Sequence, residues 1–331
     1  LVSIEPSNGR NYRGIKSHPR LGSQTYSAHP HLVSLLAEGR QDERSNQCHL
    51  PIATLPHDDA VTINVTPEKL FARHCAILGT TGGGKSFSMT NIIEQVQLAG
   101  GKAIIIDPTG EYNSLNCHSY YVGNHPNATP QNQLTFPHWQ FTDSDIRAFL
   151  RPSPQSQAPK LEAAILSQKV ATVCSNLPPP GLPLTQDLLI NKVEQSKAIF
   201  ENVAYQINSN NQLVSWNFSR LANQIVNECV YPTGYTNRQP DPSKWGGKSE
   251  VDVGHCLNLI SRINAYCNNP NLKWMIDVDS NLQTVANVLD QFCSPQNPQK
   301  VIRLDLSEVP FEANSREILV NAIGRKLLSL S

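Results

Sequence analysis

Residues 79–86, which spell GTTGGGKS, constrain the fold of this chain more than any other feature. The pattern places Gly79 four residues before the run Gly84, Lys85 and Ser86. Glycine-rich loops with this spacing bind phosphate groups, and they do so only at the junction of a strand and a helix. The surrounding sequence therefore decides whether the pattern is more than a flexible glycine turn.

That surrounding sequence predicts a βαβ unit. The apolar run CAIL (75–78) precedes the loop and predicts a buried strand, and SFSMTNIIEQVQLA (86–99) follows it with apolar residues at helical spacing. Gly100 and the next glycine end the helix, and KAIII (102–106) predicts a second strand. A strand that is apolar throughout is typical of a parallel sheet covered on both faces. The sequence thus predicts an α/β fold around a P-loop.

Each part of the loop meets a different part of a nucleotide. Glycine allows the backbone dihedrals that point successive N–H groups inward at phosphate oxygens, and the following helix adds the partial positive charge of its N-terminus. Lys85 is expected to reach the β- and γ-phosphates, and the Ser86 hydroxyl to coordinate magnesium. The predicted ligands are ATP and Mg²⁺. The candidate nucleotide-binding residues are Gly79, Thr80, Thr81, Gly82, Gly83, Gly84, Lys85, Ser86 and Phe87.

Four charged residues outside the loop are further candidates. Asp107 ends the predicted strand KAIII, at the carboxyl edge where ligands gather in α/β sheets, and is expected to hold a magnesium-bound water. Glu111 could orient a water or a partner group, or be a solvated acid of a turn. Asp305 in VIRLDLS is expected to have a structural role in a turn or helix cap. Arg73, just before the first strand, could reach nucleotide in its own or a neighbouring subunit.

Composition excludes several classes of protein. The chain has 27 Lys plus Arg and 27 Asp plus Glu, so no global field attracts it to nucleic acid or to an anionic membrane. No run approaches the roughly 18 apolar residues that span a bilayer, which predicts a cytoplasmic protein. The eight cysteines contain no C-x-x-C pair and predict reduced thiols rather than disulfides or a zinc site.

The pattern of segments predicts two domains. Residues 1–70 contain short β-like segments, including 31–37, 51–55 and 60–65, and predict a small β-rich domain. Residues 71–331 predict the nucleotide-binding core, interrupted at about 112–298 by a Pro-, Asn- and Gln-rich helical insertion. After the insertion, the sequence predicts a strand at 299–307 and an amphipathic helix at 315–331.

Four motifs in chain order resemble the HerA branch of the HerA/FtsK ATPases. They are LFARHCAILGTTGGGKS (70–86), IIIDPTGEY (104–112), SQAPKLEAAI (156–165) and VIRLDLSEVP followed by REILVNAIGRKLL (301–328). The later motifs are more specific than a P-loop alone. The resemblance implies a small N-terminal β-barrel at residues 1–70, a RecA-like core with a helical insertion, and homohexameric rings that move double-stranded DNA through a central pore.

The same resemblance implies roles for residues and partners. Lys85, Ser86, Asp107 and Glu111 would lie around ATP and magnesium, and Arg73 matches a position where the family tends to carry an arginine near the nucleotide. Members of the family commonly work with a nuclease or another effector, such as a sirtuin-like NAD hydrolase, in DNA end processing or in anti-phage defence. The resemblance does not identify the effector.

One departure from the family pattern concerns catalysis. Similar proteins have a further strand ending in Glu-Glu-Ala-His, whose glutamate activates the attacking water, and this pattern does not occur in the 331 residues. The resemblance therefore implies a fragment whose catalytic glutamate lies beyond residue 331. Nucleotide binding is expected to survive that loss better than hydrolysis, because positioning the nucleophile is separate from holding the phosphates.

Three functional hypotheses follow. The leading one is an ATP-driven DNA translocase or helicase subunit of a ring. The alternative is a nucleotide-binding structural ring that scaffolds and activates an effector with little translocation. A P-loop kinase or small-molecule ATPase is disfavoured because the long insertion lacks an evident substrate lid.

Overall fold

The computed structural model describes residues 2–4, 11–13, 21–24, 26, 28–29, 32–33, 48–55, 58–210, 213–276 and 281–330. These residues form two compact units. The first comprises Leu1–Ala103 and Glu111–Cys117, and the second comprises Ile104–Gly110 and His118–Ser331. Among the helices of the described ranges, none has the length and apolar composition needed to cross a lipid bilayer.

The first unit contains two antiparallel hairpins followed by two helices. The hairpins are separate two-stranded sheets, and the strands predicted at 51–55 and 60–65 are confirmed as one of them. Most of residues 1–47, including nearly all of the segment predicted at 31–37, lies outside the described residues. The N-terminal barrel therefore stays a prediction. The elements are β1 (Val2–Ile4), β2 (Asn11–Arg13), β3 (Leu50–Leu55), β4 (Asp58–Val65), α1 (Pro67–Phe71) and α2 (Lys85–Leu98).

The helix that follows the phosphate loop is confirmed and packs on β3. Its Asn91 side chain donates to the Ile52 carbonyl oxygen at 3.1 Å, and Ile93 is its buried apolar anchor, 7% exposed. Gly100 ends α2 in the left-handed conformation with a φ of 81°, which glycine adopts at low cost.

The strand predicted at 75–78 is wrong. Residues 74–80 form no regular secondary structure, and Leu78 is 88% exposed. A strand needs a hydrogen-bonded neighbour as well as apolar side chains. Within the described part of the first unit, β3 and β4 pair with each other, and CAIL pairs with neither. The apolar composition of CAIL does not specify the neighbour that a strand requires.

The second unit contains a parallel five-stranded sheet flanked by helices. This α/β arrangement confirms the predicted fold class and is consistent with a RecA-like core. The elements are β5 (Ala103–Asp107), β6 (His118–Val122), β7 (Gln133–Thr135), α3 (Asp143–Leu150), α4 (Gln157–Val173), α5 (Ala198–Ser209), α6 (Leu221–Glu228), β8 (Gly234–Thr236), β9 (Gln239–Asp241), α7 (Glu250–Cys267), α8 (Lys273–Ile276), β10 (Gln283–Thr284), α9 (Val285–Cys293), β11 (Val301–Asp305) and α10 (Ser315–Leu330).

The order of strands in the sheet is β10-β7-β6-β11-β5. The pairings of β10 with β7, β7 with β6, and β6 with β11 are parallel. All five residues of β11 are buried, as expected for an inner strand covered on both faces. The strand predicted at 299–307 and the helix predicted at 315–331 are confirmed as β11 and α10. Since β5 and β11 are neighbours, their terminal acids Asp107 and Asp305 come to the same edge of the sheet.

The stretch at about 112–298 is not the purely helical insertion that the sequence predicts. It contributes β6, β7 and β10, which are three of the five strands of the sheet. These strands have two to five residues, too few to show a hydrophobic period. The helical part of the prediction is confirmed, because α3, α4, α5, α6, α7, α8 and α9 all lie in this stretch.

The core of the second unit lies between the sheet and its helices. Val122, Leu134 and Leu304 of the strands are fully buried with Leu289 of α9 and Leu319 of α10. A smaller apolar cluster lies where α4 meets α5, around Val170, Ile190 and Phe200. The sheet therefore packs against a continuous apolar core, and this packing fixes the positions of the carboxyl ends of its strands.

Candidate nucleotide-binding site

The phosphate loop joins directly to the first turn of α2. Gly84 is the residue that caps this helix, and it adopts the left-handed conformation with φ 79° and ψ 15°. Gly82 is also left-handed, with φ 76°. The Gly83 N–H donates to the Thr80 carbonyl oxygen at 3.0 Å and closes a tight turn. Two positive φ values in three residues require glycine and explain why the sequence has it there.

Glycine at two other positions of the loop is favoured by close approach rather than by dihedral angle. A Cβ at Gly79 would lie 3.3 Å from the Lys85 Cγ, and a Cβ at Gly83 would lie 3.0 Å from the Thr80 carbonyl oxygen. The loop thus folds back on itself as a bare-backbone cradle that side chains would fill. Such a cradle at a helix N-terminus fits a phosphate group.

Lys85 brings the positive charge of the site. Its Nζ donates to the Thr80 carbonyl oxygen at 2.8 Å, so the ammonium group curls back over the loop. The side chain is half-buried. A neutral carbonyl is a weaker partner for an ammonium group than an anion is, so a phosphate entering the loop would compete favourably for Lys85.

Ser86 and Glu111 meet within the first unit. The Ser86 hydroxyl donates to Glu111 Oε2 at 2.7 Å, although the two residues are 25 positions apart in the chain. This bond uses the hydroxyl proton and leaves the oxygen lone pairs of Ser86 to act as a ligand. Glu111 therefore orients Ser86, in the way that outer-shell carboxylates orient metal ligands.

Asp107 lies fully buried at the end of β5 in the second unit. Its Oδ1 accepts from the backbone N–H groups of Gly110 at 2.8 Å and Thr109 at 3.3 Å. Its Oδ2 pairs with Arg303 Nη1 at 3.2 Å. The carboxylate is therefore held in one orientation at the carboxyl edge of the sheet.

Asp305 has the structural turn role that the sequence predicts. Its Oδ1 accepts from the Ser307 N–H at 2.9 Å and from the Ser307 hydroxyl at 2.7 Å, and Oδ2 pairs with Arg303 Nη2 at 2.9 Å. Arg303 is the residue that sequence reasoning missed. Its signal is a charge at the centre of the apolar strand VIRLD, two positions before Asp305 and hence on the same face.

The remaining candidates are solvent-exposed in the first unit. Arg73 follows the end of α1 and is exposed, Thr81 lies exposed in the loop turn, and Phe87 in the first turn of α2 is 79% exposed. Within the described residues, no cluster of three or more His, Cys, Asp or Glu side chains could hold a metal ion alone. Magnesium at this loop would therefore depend on Ser86 together with phosphate oxygens.

Comparison with known proteins agrees with the motifs. The profile of the family described as "Helicase HerA, central domain" matches residues 50–327. A stretch of 66 residues is 42% identical to a probable DNA double-strand break repair helicase HerA of Methanocaldococcus jannaschii, covering 20% of this chain and 13% of that protein. A second probable helicase of the same archaeon is 32% identical over 71 residues, 22% of this chain and 14% of that protein.

The two matched stretches span only about a seventh of those relatives, whereas the family profile covers most of this chain. The resemblance drawn from the four motifs is therefore confirmed at the level of the family. This chain belongs to the helicase HerA central-domain family.

Proposed function

We propose that this chain binds ATP and Mg²⁺ and forms the ATPase core of a homohexameric ring that translocates on double-stranded DNA. The observation that carries the proposal is the geometry of residues 79–86: two left-handed glycines, a cradle without side chains, and the Lys85 ammonium group folded over it. Family membership and the similarity to two probable helicases, one of them a probable DNA double-strand break repair helicase, support the DNA-related part.

The residues of the loop would share the work of binding. The N–H groups of residues 79–86 would donate to phosphate oxygens, and Lys85 would balance the charge of the β- and γ-phosphates as a point charge. Ser86 would coordinate magnesium while its hydroxyl donates a hydrogen bond to Glu111, and Asp107 would hold a magnesium-bound water. When bound, magnesium supplies positive charge that offsets the charge developing on the phosphates during transfer.

Two further roles complete the proposed site. Glu111, besides orienting Ser86, would position a water molecule through its carboxylate, and exposed Arg73 would stabilise phosphate charge in its own or a neighbouring subunit.

The DNA contacts would come from a few Lys or Arg residues repeated by ring symmetry. Because every subunit of the ring repeats these residues, the ring can bind a polyanion although each chain has equal numbers of basic and acidic residues, 27 of each. The ring would serve a nuclease or sirtuin-like effector in DNA end processing or anti-phage defence.

Substitution of Lys85 tests the proposal. Lys85→Ala in the full-length protein is expected to abolish DNA-stimulated ATP hydrolysis and to weaken binding of a slowly hydrolysed ATP analogue. Lys169→Ala, a lysine of α4 outside the loop, is the matched control and should leave both unchanged. Wild-type protein that binds no nucleotide would refute the proposal.

The same variants separate the translocase from the scaffold. A Lys85→Ala ring that still assembles with its effector and still activates it would show that hydrolysis is dispensable, and the structural ring would then be the better account. A ring that assembles but no longer activates its effector would support the ATP-driven account.

A further inference from the structure

A short hairpin in the second unit carries an arginine in an unfavourable backbone conformation. Strands β8 and β9 are joined by Asn237 and Arg238, which are both left-handed, with φ values of 50° and 66°. A hairpin turn with two positive φ values usually has glycine at its second position, whereas asparagine suits the first. The chain thus has a favoured residue at 237 and a disfavoured one at 238. Residues held in such conformations are concentrated at functional sites.

The hairpin tip, residues 235–239, is exposed throughout and reads YTNRQ. Side chains of all five types contact phosphates in complexes of proteins with DNA. The Arg238 guanidinium forms neither an ion pair nor a hydrogen bond with a described residue, whereas the exposed cations Arg147 and Lys248 each pair with an acid. Arg238 is therefore available to a partner outside the chain.

Charge on the hairpin favours an anionic partner. Residues 231–247 contain two basic residues and one acidic residue, Asp241. The Asp241 carboxylate accepts from the hydroxyl groups of Thr236 and Ser243, each at 2.6 Å, and so is held by the hairpin itself. No ion pair joins it to Arg238 within the part of the chain that the structure describes. An anion is the partner that complements the remaining positive charge.

The base of the hairpin is fixed to the rest of the second unit. The Lys197 Nζ donates to the carbonyl oxygens of Pro232 at 2.7 Å and Pro242 at 2.8 Å, one on each side of the hairpin. Gly234 allows close packing, because a Cβ there would lie 2.5 Å from the Trp245 carbonyl oxygen. The Trp245 side chain in turn packs on the smaller apolar cluster. A tip presented on a fixed base loses less conformational entropy when it binds.

We infer that the hairpin tip contacts the phosphate backbone of DNA, with Arg238 as the residue that pairs with phosphate. The inference rests on the proposed function, because it names a contact residue for the DNA on which the ring would translocate. Phosphate contacts carry no direct sequence information, which suits a protein that moves along DNA of any sequence. In a ring, the same arginine would be repeated in every subunit, so one contact per chain would add to affinity several times.

Substitution of Arg238 by glycine tests the inference without a cost to folding. Arg238→Gly removes the guanidinium and places the favoured residue in the turn, so the variant should be at least as stable as wild type. The assay is fluorescence anisotropy of labelled double-stranded DNA with the full-length protein at several salt concentrations. Lys273→Gln, which removes an exposed positive charge from α8, is the matched control for net charge. Arg238→Lys keeps the charge at the tip.

Arg238→Gly is expected to bind DNA about fivefold or more weakly than wild type at 100 mM salt. The slope of log affinity against log salt concentration should become shallower by about 1 for each subunit that contacts DNA. Lys273→Gln should bind like wild type, and Arg238→Lys should keep most of the affinity, because pairing with phosphate depends on the charge.

A DNA affinity of Arg238→Gly within about twofold of wild type would overturn the inference. That result would favour a protein partner for the tip instead, since exposed tyrosine and arginine also dominate protein–protein contacts. Wild-type protein that binds no DNA under the same conditions would instead refute the DNA-related part of the proposed function.

Discussion

Gly84 offers a quantitative test of the phosphate loop, because its left-handed conformation has a known cost for other residues. Alanine at φ 79° and ψ 15° is disfavoured by about 1–2 kcal/mol. A Cβ at Gly84 meets nothing within 4 Å, so the penalty comes from the backbone and not from a clash. An exposed loop can relieve such strain by leaving the cradle conformation. Gly84→Ala should therefore raise the apparent Kd for Mg-ATP by up to about 5–30-fold.

Two variants make this prediction specific. Gly84→Asn should lose less affinity than Gly84→Ala, because asparagine tolerates the left-handed region better. Gly324→Ala in α10, where nothing lies within 4 Å and the φ is not left-handed, should leave nucleotide affinity unchanged and raise stability by about 0.5–1 kcal/mol. The assay is titration of a fluorescent ATP analogue. Equal affinity in wild type and Gly84→Ala would refute the dihedral argument.

Three further outcomes are expected. Lys192→Met should lower the free energy of unfolding, measured with urea, by about 3–5 kcal/mol, because it removes the partner that lies 2.5 Å from buried Glu228. The control Lys248→Met breaks the exposed pair with Glu250 and should lower it by less than about 1 kcal/mol. Equal losses of stability in the two variants would contradict the reasoning. Burial lowers the pKa of His138 from 6.5 to about 4, so the unfolded chain binds more protons than the folded chain between these pH values, and the free energy of unfolding should fall as the pH drops from 6.5 to 4. His138→Gln should lack this contribution to the pH dependence of stability. The same pH dependence of stability in wild type and His138→Gln would contradict this prediction. Glu111→Gln should weaken the magnesium dependence of nucleotide affinity less than Ser86→Ala does, because Glu111 acts through Ser86; the reverse order in the same titration would contradict this.

The parts of the fold that sequence predicted are those encoded locally. The glycines of 79–86, the helical period of α2 and the apolar runs of β5 and β11 each carry their own signal within about 5–15 residues. The same locality explains the orientation of Asp305 toward Ser307, which is a contact between residues two apart.

The parts that sequence did not predict depend on distant neighbours. CAIL is as apolar as β5, yet it forms no strand here, because composition does not specify a hydrogen-bonded neighbour. The short strands β7 and β10 pair with each other across about 150 residues and have no period to detect. Arg303 and Asp107 are 196 positions apart, so their ion pair becomes visible only once β5 and β11 are adjacent.

Hydrogen exchange of the backbone amides measures the central claim most directly, because that claim concerns the N–H groups of residues 79–86. Addition of Mg-ATP to the wild-type protein should slow exchange in this loop and the first turn of α2, and Lys85→Ala should show much less protection at the same nucleotide concentration. Unchanged exchange at residues 79–86 in wild-type protein saturated with nucleotide would contradict the account.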